Sequence, residues 1–316
     1  MSWIVLSPTI INMLVVLLLI VFLFYLLNRN NRSYENSKSV AKAYDNWTED
    51  RLLELLWGDH VHLGYYSEKP KAHDFRVAKE IFVHELVHWS GLDQLPYGST
   101  LLDVGCGIGG SSRILARDYG FNVLGISISP SQIRRARELT TVESKCQFAV
   151  MDALNLKLDD GSFDAVWSVE AGPHMPDKQL YADELQRILR SNGLLVVADW
   201  NRRDQRIKPL SKSERWVMRQ LLDQWAHPEF ASILGFRENL QQSKYNKGFV
   251  DIDDWTRQTL PSWFDSIMEG IRRPLTMLTL GPRAIIQGFR EIPTLILMHW
   301  AFSRGMMQFG VFRARS

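Results

Sequence analysis

Apolar and polar positions divide the chain into three regimes. From Ile4 to Leu27 the residues are apolar apart from Ser7, Pro8, Thr9 and Asn12, and Met13–Leu27 is unbroken. From Ser99 onward, short apolar runs alternate with stretches whose apolar residues recur at the helical period. Between these regimes lie a polar stretch, 28–38, and a helical one. Over 39–58 the residues Val40, Ala43, Tyr44 and Trp47 share one face, Asp59–Tyr66 is dense in His and aromatics and reads as a loop, and Phe75–Trp89 reads as an amphipathic helix. The alternation predicts strands at 100–104, 121–127, 146–150, 163–169 and 193–199, with helices at 109–118, 130–139 and 177–190. Ser129-Pro130 opens one of these helices and Ser191-Asn192-Gly193 closes another. A further helix runs from Ser213 to about Trp225, and Gln308–Ala314 reads as a last strand. Strands alternating with helices of this length predict an α/β fold, a mostly parallel sheet with helices on both faces.

The predicted organisation is an anchor over 1–28, a linker over 29–38 and an N-terminal helical lid and substrate region over 39–98. A ligand-binding core follows over 99–225, a helical substrate cap over 226–305, and the last strand of the sheet over 306–316. The anchor rests on length, since about 20 apolar residues at 1.5 Å each span a bilayer's hydrocarbon core. No Lys or Arg precedes the run, whereas Arg29 and Arg32 follow it. That charge bias speaks against a cleaved signal and places the domain behind the run on the cytoplasmic side of a membrane.

Net charge is +2, from 37 basic and 35 acidic residues, so nothing draws the chain toward nucleic acid. The balance is uneven, because from Ile271 onward there are seven Arg and one acid, Glu291. A basic, apolar segment suits an anionic membrane surface, and it equally suits a helical cap with a solvated basic face. The richness of 226–305 in Trp, Met and Leu fits plain core packing or an apolar channel. Cys106 and Cys146 form neither a disulfide framework nor a zinc spacing and read as core residues. No obligate protein partner is implied.

Residues 101–110, Leu-Leu-Asp-Val-Gly-Cys-Gly-Ile-Gly-Gly, carry the chemistry: a buried strand, a glycine turn and a helix start. Gly105, Gly107 and Gly110 also satisfy the G-x-G-x-x-G of dinucleotide folds. In a parallel α/β sheet, ligands sit beyond the carboxyl ends of the strands. Those ends carry Asp103, Ser127, Asp152-Ala153, Glu170 with His174 behind it, and Asp199-Trp200. Carboxylates at four of them fit a ligand with an ammonium, a sulfonium, a ribose diol and an adenine amino group. A dinucleotide would want an acid about 20 residues past the glycines. Ser127 stands there, and Asp103 and Asp152 would have no role, so S-adenosyl-L-methionine fits better than NAD.

Leu102–Gly110, Met151-Asp-Ala153, Phe163–Glu170 and Leu189–Val197 resemble the successive motifs of class I methyltransferases, which are seven-stranded, doubly wound and Rossmann-like. Trp57–Tyr66 and Ser168–Asp177 are similar to the tocopherol and plastoquinol methyltransferase group, and Ala198–Asn201, Arg219–Trp225 and the anchor extend that likeness over nearly the whole chain. The resemblance implies C-methylation of a prenylated hydroquinone such as 2-methyl-6-phytyl-1,4-hydroquinone or its solanesyl counterpart. A γ-tocopherol or sterol acceptor, or a membrane-tethered cofactor-binding protein without catalysis, remains open. It implies cofactor contacts from Asp103, Gly105, Cys106, Gly107, Gly109, Gly110, Ser127, Asp152, Ala153 and Glu170, with Tyr44 as a lid. Ser127 departs from the acid that many such enzymes place at the ribose. Substrate contacts fall to His60, His62, Tyr65 and Trp200, although His60 and His62 would serve equally as loop caps.

Ionising the phenol would activate the ring carbon, and His174 is the first choice of base, with Glu170 orienting it or acting instead. Alternatively Glu170 only binds cofactor and His174 only shapes a loop between Pro173 and Pro176. No metal is expected, because a sulfonium is already activated. His84-Glu-Leu-Val-His88 matches the zinc-protease pattern H-E-x-x-H, and its place upstream of the first strand marks it as coincidental.

Overall fold

The computed structural model describes residues 51–67, 74–279 and 281–316, and positions 16, 34–36, 40, 41, 44, 45, 48 and 49 upstream. The expected anchor over 1–28 lies outside the described residues, apart from the helical and exposed Val16. Among the described residues no helix is long and apolar enough to cross a membrane.

In chain order the elements are α1 (Leu52–Trp57), α2 (Phe75–Ser90), β1 (Thr100–Val104), α3 (Gly110–Tyr119), β2 (Asn122–Ser127), α4 (Pro130–Glu138), β3 (Cys146–Val150) and β4 (Phe163–Val169). There follow α5 (Lys178–Arg187), β5 (Leu189–Arg202), α6 (Lys212–Gln224), α7 (Ile233–Gln242), β6 (Val250–Asp254), α8 (Thr256–Arg272), α9 (Pro274–Thr279), α10 (Pro282–Ser303) and β7 (Met307–Arg315). Seven strands form one sheet in the order β3-β2-β1-β4-β5-β7-β6. Strands β1 to β5 pair in parallel and β7 runs antiparallel to both β5 and β6, so the sheet is mixed.

Strand alternation splits the core in two. Leu101, Ala165, Trp167, Leu194, Val196 and Phe309 pack toward α2, α3, α6, α8 and α10. Their neighbours Leu102, Val166, Leu195, Val197 and Phe312 pack toward α5 and α7. Local sequence fixes the helix ends. Asp74, Ser129 and Asp177 accept backbone N–H groups two or three residues on, Pro130 occupies the first turn of α4, and Gly91 closes α2 in a left-handed conformation.

Three expectations change. The helix read over 39–58 is interrupted at Arg51, a left-handed residue (φ 51°) whose N–H donates to Thr48 O at 3.1 Å, and it restarts as α1. Glu54 of α1 then pairs with Arg135 of α4 at 2.7 Å, tying this segment to the sheet's helices. Ser191-Asn192-Gly193 lies inside β5 rather than after a helix, with Asn192 absorbing the bend at φ 64°. The stretch 226–305 is not wholly helical, because β6 within it forms the sheet's edge. Only 256–303 is a run of helices.

Candidate active site

A cavity of about 550 Å³ opens beyond the carboxyl ends of β1, β2, β4 and β5. The loop 59–63 covers one side, and α8 and α10 cover another. Its lining combines polar residues, Asp103, Ser127, Asp152 and Glu170, with apolar ones, Leu53, Leu56, Trp263, Ile267, Ile292 and Leu295.

The glycine turn is a cradle. Gly105, Gly107 and Gly109 all take positive φ (79°, 55° and 83°), which side chains with a Cβ adopt rarely. A Cβ at Gly107 would meet nothing within 4 Å, leaving room for a ligand against the backbone. A Cβ at Gly110 would lie 2.4 Å from Asp59 O and 2.8 Å from His60 Nδ1, so the absence of a side chain there lets the 59–63 loop sit on the start of α3. Gly105, Cys106, Gly107 and Gly110 line the cavity. Gly109 does not. Its Cα faces Phe148 instead, and it caps α3.

Two carboxylates line this space, Asp103 buried and Glu170 half-buried. Asp103 accepts from Ser112 Oγ at 2.5 Å, yet burial raises its pKa to about 7. Glu170 accepts the Leu63 N–H at 2.7 Å, and burial raises its pKa to about 8, against the opposing pull of the Leu63 bond and the Lys79 charge. Glu170 itself is a left-handed residue at φ 55°. Strain at a non-glycine residue lining a cavity is a mark of a functional position. Asp199 is placed differently. It accepts Gly172 N–H at 3.1 Å beside Lys178 and supports the 172–178 turn from behind the cavity.

At the end of β2, Ser127 Oγ donates to Gln132 Oε1 at 2.8 Å, and both side chains line the cavity. Asp152 accepts Leu154 N–H at 2.9 Å and lines the cavity with Ala153.

The histidines form two groups. In the covering loop, His62 Nδ1 lies 2.8 Å from Leu63 O, so that nitrogen donates. Burial holds its pKa at about 3, so the ring is neutral and its Nε2 accepts. His60 Nδ1, 3.1 Å away, then donates to it. The fully buried Lys79 donates to His60 O at 2.6 Å and lies over the Phe75 ring. The second group joins Tyr44 OH to His174 Nε2 at 2.8 Å, with the His174 ring stacked 4.2 Å from His227. Burial lowers the His174 pKa to about 3, so the imidazole chosen from sequence as base has little affinity for a proton here. Glu170, shifted the other way, is the better-matched acceptor.

Trp200 also lines the cavity, and its indole N–H is close enough to favour the charged form of Glu170. Tyr65 does not line it. Its N–H donates to Ala78 O and its ring packs on Trp255 at 5.0 Å, a structural role at a place where Gly64 lets the chain lie close against Ala78 of α2. Gln132, Trp225, His227 and Trp263 line the cavity without having been singled out from sequence. His84 and His88 are spent on Tyr119 and Asp93, and among the described residues no group of His, Cys, Asp and Glu is arranged to hold a metal.

The family model described as a methyltransferase domain matches residues 102–197. The chain is 58% identical over 90% of its length, and 89% of the relative's, to 2-methyl-6-phytyl-1,4-hydroquinone methyltransferase from Synechocystis sp.. It is 30% identical to the chloroplastic tocopherol O-methyltransferase of Arabidopsis thaliana, over 87% of this chain and 80% of that one. Its fold is similar to that of a geranyl diphosphate C-methyltransferase from Streptomyces coelicolor, solved with S-adenosyl-L-homocysteine. That match has a TM-score of 0.65 and 21% identity, and covers 88% of this chain and 96% of that one.

Proposed function

The chain belongs to the methyltransferase family that includes these hydroquinone and tocopherol enzymes, and from that premise we propose that it methylates a ring carbon of 2-methyl-6-phytyl-1,4-hydroquinone or its solanesyl counterpart. Such an enzyme serves tocopherol and plastoquinone synthesis. The observation that carries the reading is the likeness to the Synechocystis enzyme over nearly the full length of both chains. The cavity supports it independently, since one space is lined both by acids suited to a charged nucleoside and by apolar side chains suited to a prenyl tail.

S-adenosyl-L-methionine, when bound, supplies an electrophilic methyl on a sulfonium. The residues present fit it: an open glycine cradle at Gly107, the acids Asp103 and Glu170 with raised pKa values that a cationic ligand would relieve, and the Ser127–Gln132 pair where many relatives place an acid. Gly105–Gly110 and Asp103 hold the methionine end, Ser127 and Gln132 the ribose, and Asp152 and Ala153 the adenine. Tyr44 closes over them.

Glu170 takes the phenolic proton, which makes the ring carbon nucleophilic. Bound S-adenosyl-L-methionine would supply the methyl to that carbon, the electron pair of the broken bond staying on sulfur; the carbon's own proton would then leave to solvent, and Glu170 would return the phenolic proton to the oxygen. Much of the rate would come from positioning the ring against the bound cofactor. His60, His62 and Trp200 position the ring, and the helices over 256–303 enclose the tail.

The apolar run Ile4–Leu27 with Arg29 and Arg32 behind it supports an N-terminal anchor at a thylakoid or plasma membrane, the catalytic domain on the cytoplasmic side and lipid as a partner. Exposed Leu275 and Ile286 on α9 and α10 support contact with that lipid. The test is transfer of label from S-adenosyl-L-methionine to 2-methyl-6-phytylhydroquinone, in competition with γ-tocopherol and a sterol. The hydroquinone is the preferred acceptor. Absence of labelled product with it overturns the proposal.

A further inference from the structure

Glu291 is the one acid from Ile271 to Ser316, in a stretch with seven Arg. The fold brings it to the cavity. On α10, Gly288, Glu291, Ile292 and Leu295 follow at the spacing of one helical face, and that face lines the space. From α8, Trp263 and Ile267 line the same space. Among the described residues, Glu291 is the one ionisable side chain that these two helices bring to it. Covering a carboxyl group with hydrocarbon is costly unless a donor meets it, so a tail alone is a poor occupant at this point of the wall.

The carboxyl group is also held in place. Trp225 Nε1 donates to Glu291 Oε2 at 2.7 Å. An indole N–H only donates, and a carboxylate has about four lone-pair sites, so this bond orients Glu291 and leaves it able to accept again. Trp225 lies 6.3 Å from Trp263, with the rings only 20° from parallel, and 5.8 Å from Trp200. All three indoles line the cavity, so the wall beside Glu291 is aromatic and suits a flat ring. The contacts lead back to the sheet, because Trp200 stands two residues past Ala198, whose carbonyl accepts the Glu170 N–H at 2.7 Å. Two acids, one at the end of β4 and one on the covering helix α10, thus share a cavity walled by tryptophan.

We propose that Glu291 accepts a hydrogen bond from the ring hydroxyl that Glu170 does not deprotonate, so that a free hydroquinone is held at both oxygens and a mono-ether is selected against. This inference rests on the hydroquinone reading above. A hydroquinone carries two O–H donors on opposite sides of its ring, and the reaction uses one. The other needs an acceptor once the cover excludes water, and Glu291 supplies it. Glu291 takes no proton. It determines specificity, because an ether oxygen in place of that hydroxyl sets acceptor against acceptor.

The test compares 2-methyl-6-phytylhydroquinone with its two mono-O-methyl ethers, using the full-length protein in membranes or detergent. One ether blocks the hydroxyl that Glu170 uses and gives no product. The other keeps that hydroxyl and turns its methoxy oxygen toward Glu291. In the wild-type protein this second ether loses about ten- to a hundredfold in kcat/KM against the hydroquinone. In Glu291→Gln the side-chain oxygen stays with the Trp225 N–H, and the amide nitrogen faces the ring. An N–H is met by an ether oxygen as well as by a hydroxyl, so the ratio shrinks by about tenfold. Glu291→Leu removes the acceptor and brings the hydroquinone down to the level of that ether, chiefly through KM. S-adenosyl-L-homocysteine affinity, read by calorimetry, stays unchanged in both variants and reports that they fold, and either folded variant decides the matter. If Glu291 only ties Trp225 to α10, both acceptors fall together and the ratio stays. An unchanged ratio, including an ether inert with wild type and variant alike, overturns the inference and leaves the proposed function standing. So does equal turnover of the hydroquinone and both ethers by the wild-type protein. No turnover of the hydroquinone by the wild-type protein overturns the function itself.

Discussion

The carboxylate of Glu170 accepts the backbone N–H of Leu63 at 2.7 Å, across 107 residues of sequence. This bond ties the end of β4 to the loop that covers the cavity. It also aims an acid with pKa raised to about 8 at the space where a phenol would sit. An acid that must be ionised to accept a proton works only above its pKa. The kcat/KM of the free enzyme therefore rises with pH through about 8. In kcat the same limb lies lower, because a bound cation favours the carboxylate. Glu170→Gln costs about 10²–10⁴-fold in kcat and removes the limb. Rate profiles of the two proteins that keep the same alkaline rise would reject this role.

Asp103 holds a proton up to about pH 7 in the unliganded protein, because burial outweighs its bond from Ser112. A ligand that brings an ammonium beside it favours the carboxylate, so binding near neutrality releases a proton. Calorimetry of S-adenosyl-L-homocysteine binding at pH 6.5 in buffers of different ionisation enthalpy measures this directly. Asp103→Asn binds more weakly and shows no such dependence. A heat of binding identical across buffers for the wild-type protein contradicts the assignment.

Acid should weaken the fold through its histidines. His62 and His174 are neutral in the folded chain down to about pH 3, whereas in the unfolded chain each takes a proton near 6.5. Their folded pKa values are depressed, so on lowering the pH the unfolded state gains protons first. Stability is present above pH 6.5 and is lost progressively between 6.5 and 3. The raised Asp103 and Glu170 act oppositely: in the unfolded chain they lose their protons near 4, so their stabilisation fades as pH climbs from about 4 to 7 and 8 and offsets the histidines between about 4.5 and 6.5. Thermal melts of the unliganded protein should thus be nearly flat over that span and fall on either side, and His174→Gln should flatten the fall on the acid side. A melting temperature constant from about pH 8 to about 3 is the contrary result.

Gly110→Ala places a methyl 2.4 Å from Asp59 O and 2.8 Å from His60 Nδ1. Neither is the loose end of a long side chain, so backbone must shift. Overpacking of this kind costs about 1–3 kcal/mol. The shift also moves the His60–His62 pair, so cofactor affinity and acceptor KM worsen together. Gly281→Ala, where an added Cβ meets nothing within 4 Å, serves as the control. Equal melting temperatures for the two variants count against the tight approach of loop and helix.

Much of this molecule was legible before any coordinates. Strands β1, β3 and β4 fall on their predicted residues, because each is a short, mostly apolar run followed within three residues by Gly or Asp. β6 was not legible. Val-Asp-Ile-Asp-Asp carries three acids in five residues and qualifies as a strand only through its pairing with β7. The polar cradle was readable because its residues follow strand ends in order. His227, Gln132 and Trp263 come to the cavity from elements whose placement depends on long-range packing. The preference for His174 over Glu170 as base rested on ordinary pKa values, and burial moves these two in opposite directions.

β6 and β7 are adjacent antiparallel strands, so the helices between them are in topology a single swollen hairpin turn. Its two ends are stitched together, Trp255 N–H donating to Phe309 O and Phe309 N–H to Thr256 Oγ1, each at 2.8 Å. Closing a longer or shorter turn on that base changes the entropy only slowly with length. The chain between Asp254 and Met307 is therefore an exchangeable cassette. A lineage or an engineer can replace it, with the apolar face that meets the sheet kept, and leave the strand register intact. New acceptors can then arise on this scaffold by grafting, provided the bonds that Gln258, Ser262 and Asp265 make to residues 64–66 beside the covering loop are kept.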